Sequence, residues 1–185
     1  MDTMDCIYSR CSVRSYSEEQ VPESIMKEIL KAGSYAASGM NRQPLRFVVV
    51  QNREIIKRLS EKVKSDFLKN SDGSNSWAIA KMNDPSYHLF HNAPTLVFVF
   101  AAPDALTPIE DGSLAVGNMM LAANSMGYGT CFIGFARALD GSKGFRECCK
   151  VPDDHTYVAC MCLGKPKGEP EKHPKNDVQI VNWMK

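Results

Sequence analysis

The sequence predicts an α+β domain, on three observations. Apolar runs of strand length stand at residues 47–50, 95–102 and 156–163, and stretches of helical period stand between them, chiefly 22–37 and 109–126. The third is length: 185 residues form one domain, 1–185, that buries roughly 70% of the surface its unfolded chain exposes.

Residues 3–9 read as a short first helix. Residues 22–37 read as a longer one, with Pro22 in its first turn and Ile25, Met26, Ile29, Leu30, Gly33 and Ala36 on one face. Phe47-Val48-Val49-Val50 is a continuous apolar strand between Pro44 and Asn52, and Asn52 is placed to cap a helix running from Arg53 into the sixties. Residues 70–75 are polar and contain glycine; a short helical piece around 77–82 and a break at Pro85 follow, and this region is expected to form a mobile cover. T-L-V-F-V-F-A-A at 95–102 is a second central strand, and 109–126 is a largely apolar helix closed by Gly127. Its stripe of Leu114, Gly117, Asn118, Leu121, Ala122 and Ser125 suits close helix packing, in the core or across a dimer. A helix around 142–150 and a strand at 156–163 complete the sheet.

The 22 basic and 21 acidic residues nearly cancel, and no basic block stands out, so a nucleic-acid or anionic-membrane partner has little electrostatic support and neither is expected. No apolar run reaches the roughly 18 residues of a spanning helix, and residues 1–5 lack the basic and apolar regions of a signal peptide. A cytoplasmic protein is expected. The seven cysteines, an odd number without a secretory signal, read as reduced thiols. Cys160 and Cys162 share one face of the last strand; with the vicinal Cys148 and Cys149 they could hold a metal in principle, yet no C-x-x-C pair occurs and the core reading is preferred. His88 and His91 have no clustered carboxylate or thiol beside them in sequence, so no metal site is expected.

Three segments carry the chemistry. Ser9-Arg10-Cys11-Ser12-Val13-Arg14-Ser15-Tyr16 offers two guanidiniums whose planar forks suit phosphate or carbonyl oxygens. Ala36-Ala37-Ser38-Gly39-Met40-Asn41-Arg42-Gln43-Pro44 offers the amides of Asn41 and Gln43, which can read a ring edge where acceptors flank an N–H, and a glycine that admits a flat ligand. Gly127-Tyr128-Gly129-Thr130-Cys131-Phe132-Ile133-Gly134 follows a helix; alone, its glycines mean a turn and close packing. In this order the segments resemble the Arg-Arg-Ser-x-Arg-x-Tyr, Ala-Pro-Ser-x-x-Asn-x-Gln-Pro-Trp and Gly-x-Gly-x-Cys-x-x-Gly motifs of the nitroreductase-like family of FMN-dependent oxidoreductases, over nearly the full length.

The resemblance implies a three-layer fold, a central and mainly antiparallel sheet flanked by helices, and a homodimer with FMN at the subunit interface. It implies cofactor contacts at Arg10, Cys11, Ser12, Arg14, Ser38, Gly39, Met40, Asn41, Gln43, Phe132, Ile133, Gly134 and Lys172. Arg14 and nearby amides would stabilise the anionic reduced ring. NADH or NADPH would deliver hydride to flavin N5, and a nitroaromatic, quinone or activated alkene would collect the electrons, so no side chain is assigned as a catalytic acid. The alternative is a flavin-binding protein of this fold that stores, senses or remodels flavin. No G-x-G-x-x-G fingerprint chooses between the nucleotides. The departures are Cys11 for the second arginine, Ala37 for proline and Leu45 for tryptophan in the turn, and Lys172-His173 before Pro174 where the family offers an arginine. Lys172 is the substitute read there, and residues 164–185 are expected to extend onto the partner subunit.

Overall fold

The computed structural model describes residues 2–185; Met1, at the head of the opening segment read above, lies outside the described residues. Among the described residues the α-helices and strands follow in the order α1 (Thr3–Ser9), α2 (Glu23–Ser34), β1 (Leu45–Val50), α3 (Arg53–Asn70), α4 (Ser76–Asn83), β2 (Thr95–Ala101), α5 (Pro108–Ser125), β3 (Gly129–Phe132), α6 (Lys143–Cys149) and β4 (Thr156–Gly164). The strands form one antiparallel sheet in the order β1-β2-β4-β3, so the last strand is inserted between two earlier ones.

The period of two in a strand explains why β2 is apolar throughout. Leu96, Phe98 and Phe100 join Ile56, Leu59 and Val63 of α3 on one side, while Val97, Val99 and Ala101 join Met26 and Ile29 of α2 and Val116 and Met119 of α5 on the other. All seven residues of β2 are buried. Two helical layers therefore enclose the sheet, which is the three-layer arrangement expected. Cys131, Cys160 and Cys162 belong to the first of these cores.

Local signals act as the residue types dictate. The Asn52 side chain accepts from the Ile55 N–H at 3.0 Å and caps α3. Gly127, at φ +77, closes α5 in a conformation that suits glycine. The second helix stops at Ser34, short of the expected 37, because Tyr35 N–H turns to Ala32 and Lys31 carbonyls and the chain then extends into Ser38. On α5 the buried face is Asp111, Gly112, Ala115, Val116, Met119 and Ala123. Leu114, 54% exposed, and Gly117 point away from the sheet, so the stripe is not a core seam.

Beyond β4, Pro166 bridges to Tyr16, and residues 171–185 are exposed, including Val178, Ile180, Val181, Trp183 and Met184. No helix among the described residues is long and apolar enough to cross a membrane.

Candidate functional site

The segment after α1 runs as an extra edge against β3. Val13 N–H donates to the Thr130 carbonyl at 2.9 Å, and Ser12 bridges Thr130 in parallel sense. Gly129 makes room for this: a Cβ there would lie 2.5 Å from Val13 Cγ2. The Tyr16 hydroxyl donates to the Val13 carbonyl at 2.6 Å and pins the next turn. At the other end Asn124, near the C-terminus of α5, donates to the Cys6 carbonyl at 3.1 Å and to Ser9 Oγ at 2.9 Å. Arg10 is thereby held beside the end of α5.

A cavity of about 250 Å³ opens there, lined by Arg10, Cys11, Asn124, Gly129, Glu169 and Lys172 among others. Arg10 Nη1 is buried and has no hydrogen-bond partner. A buried guanidinium N–H without an acceptor is costly, and an anionic oxygen would relieve that cost. The cavity brings Arg10, one of the two guanidiniums of the first segment, together with Lys172, the lysine read as the phosphate ligand of the tail. Arg14 does not join them. It is exposed and lines a wider cavity of about 1120 Å³ with Lys57, Lys64, Lys81, Tyr87 and His91. Lys64 Nζ donates to the Asp84 and Tyr87 carbonyls at 2.6 and 2.8 Å and shapes that wall. Burial, with the charges of Arg14 and His88, pushes His91 down to about 4.

The third segment runs through β3, and its Gly127, Tyr128, Gly129 and Thr130 line the smaller cavity. Phe132 is 47% exposed, whereas Ile133 is buried and donates its N–H to the Cys160 carbonyl at 2.9 Å. Gly134 is exposed like Phe132, at the head of a short 3-10 turn over Gly134–Leu139 that the sequence reading did not anticipate. Burial pushes the thiols of Cys131, Cys160 and Cys162 up, which keeps them protonated.

The Ser38–Gln43 turn lies elsewhere. Met40, Asn41 and Gln43 adopt φ of 51, 54 and 51, a left-handed conformation that costs about 1 kcal/mol or more for a residue other than glycine and less for asparagine. Ties within the turn offset this: Gln43 N–H donates to Ser38 Oγ at 3.0 Å, and Gln43 Nε2 donates to Asn41 Oδ1 at 3.3 Å. Asp111, in the first turn of α5, holds the turn from outside. Its Oδ1 accepts from the Gly39 N–H at 3.1 Å and from the Thr107 hydroxyl at 2.8 Å, while Oδ2 is buried without a partner. Sequence reasoning missed Asp111; at Glu110-Asp111 in the first turn of α5 an acidic pair reads as ordinary helix-start chemistry, and nothing local marks Asp111 as the buried member.

One chain thus carries two groups of site residues at opposite ends of α5. Asp111 and Asn124, which anchor them, stand thirteen positions apart, or about 20 Å along a helix.

Residues 7–165 match the nitroreductase family. The chain belongs to that family. An Archaeoglobus fulgidus relative, provisionally named an NADH dehydrogenase/NAD(P)H nitroreductase, is 30% identical over 177 residues, 95% of this chain and 92% of the relative. A Bacillus subtilis FMN reductase [NAD(P)H] is 26% identical over 185 residues, 92% of this chain and 68% of that protein. Among solved structures, a nitroreductase with bound FMN from Bacteroides fragilis superposes with a TM-score of 0.88 at 28% identity, covering 100% of both chains. The nitroreductase-family fold therefore accounts for the three layers and for the antiparallel sheet described above.

Proposed function

We propose that this protein is an FMN-dependent oxidoreductase that draws electrons from NADH or NADPH and passes them to an electron-poor acceptor of the nitroaromatic, quinone or activated-alkene class. The observation that carries this reading is the buried, unpartnered Arg10 Nη1 in a cavity shared with Lys172. Their charge and donor geometry fit a phosphate dianion. FMN, when bound, supplies hydride acceptance and donation at its N5. The rest falls to the chain. Arg10 and Lys172 hold the phosphate, with Cys11 and Ser12 beside them. Arg14 sets a permanent positive charge opposite the ring atoms that become anionic. Ser38, Gly39, Met40, Asn41 and Gln43 present backbone and amide groups to the ring edge, and Phe132, Ile133 and Gly134 close the opposite side.

The separation of the two groups along α5 supports a shared site: the turn of one protomer meets the Arg10–Arg14 segment of its partner in a homodimer. The outward Leu114 and Gly117 suit that contact, and the exposed apolar residues of the tail suit burial on the second subunit. The test is the visible spectrum of the purified protein, recorded without oxygen as NADH and then NADPH is added. A bound flavin that bleaches is expected. Flavin that stays oxidised with both nucleotides would replace the reductase with a storage or sensing protein, and no flavin after adding FMN would undo the site.

A further inference from the structure

We infer that Asp111 is a positioning residue for the cofactor, setting the Ser38–Gln43 turn in the shape that meets the flavin; the inference rests on the flavin reading above. Asp111 is 3% exposed, yet it joins no ion pair among the described residues. Two donors from different directions, the Gly39 N–H and the Thr107 hydroxyl, converge on its Oδ1. Its Oδ2 is left buried and unpaired, a costly arrangement that starting a helix does not require, because an acidic side chain favours a helix N-terminus equally well when exposed.

The turn needs an external hold. The bonds between Ser38, Asn41 and Gln43 lie within the turn itself and would travel with it. Arg42 reaches out to the Asp104 carbonyl at 2.7 Å, but from an exposed side chain. Asp111 supplies the half-buried tie at Gly39, the residue just before the backbone turns left-handed at Met40. The contact is also close: a Cβ on Gly39 would stand 3.1 Å from Thr107 Oγ1 and 3.2 Å from Leu106 Cβ. Thr107 orients the carboxylate, the carboxylate orients Gly39, and the left-handed residues after Gly39 inherit that orientation.

The test is FMN titration of the full chain by quenching of flavin fluorescence, with amide exchange of the apoprotein as a second readout. Asp111→Ala is expected to weaken FMN binding about tenfold or more and to speed exchange at residues 38–43 while leaving α5 and β2 unchanged. Asp111→Asn keeps an acceptor at Oδ1 and is expected to bind within about threefold of the parent. Thr107→Val, which leaves Asp111 in place but unoriented, is expected to fall between them and decides the matter where Asp111→Ala does not fold. Parent-like binding by Asp111→Ala, or equal loss in the alanine and asparagine variants, overturns the inference. A parent protein that binds no FMN overturns the flavin reading itself, a result distinct from parent binding that Asp111→Ala leaves unaltered.

Discussion

At the C-terminal end of α5 a buried guanidinium N–H waits without an acceptor beside Lys172, whereas at the N-terminal end the Ser38–Gln43 turn is tied by bonds within itself and bears backbone strain instead. The first region is incomplete in charge, the second internally bonded but expensive in shape. An incomplete charge calls for an anion, and a stiff preformed turn calls for a flat edge that must be met at fixed geometry. One helix keeps the two apart in a single chain, which is why the proposed site takes one half from each subunit.

The largest expected effect comes from blocking their meeting. Leu114→Arg places a charge on the outward face of α5 and is expected to give a monomer by size-exclusion with light scattering, with FMN binding lost as a consequence. A monomer that keeps full affinity would separate the site from the dimer. Next comes the charge itself. Arg10→Ala is expected to cost about 1.5 to 3 kcal/mol of FMN affinity, roughly tenfold to more than a hundredfold by titration. Unchanged affinity would move the phosphate elsewhere. Lys172→Ala, at an exposed position, is expected to lose only about two- to fivefold, and more at low salt than at high.

The smallest effect concerns pH. The His91 imidazole titrates at about 4 in the fold because burial, Arg14 and His88 disfavour its charge, against about 6.5 unfolded. Between those values the unfolded chain binds more protons, so His91 removes stability as pH falls from about 6.5 towards 4. His91→Phe is expected to flatten the melting temperature over that window, and Arg14→Ala to raise the His91 titration midpoint seen by NMR. A His91 midpoint unmoved by Arg14→Ala would place the guanidinium away from the imidazole.

The legible parts of this fold are those whose signals are local or periodic. β2 could be read because both of its faces are buried, which forces an unbroken apolar run, and the cap at Asn52 because one side chain serves one N–H three residues on. The stripe on α5 stayed ambiguous because small residues permit close packing on either side of a helix. Arg10 and Arg14 are legible as two cations of one segment, but their separation is not: Val13 packs on Gly129 and the chain turns, so the two guanidiniums open onto different cavities. Asp111 and the Gly134–Leu139 turn escaped the reading because each depends on what packs against it: a loop seventy residues earlier in the first case, and the end of β3 in the second.

The most direct test of the central claim mixes two disabled chains. Arg10→Ala lacks the phosphate half of the site, and a chain carrying Asn41→Ala with Gln43→Ala lacks the ring-edge half. After dissociation and reassociation together, half of the dimers contain one chain of each kind, and each of these has one intact site. The account predicts that about a quarter of all sites regain parent-like FMN affinity. A mixture that binds no better than its two components would contradict a site shared between subunits.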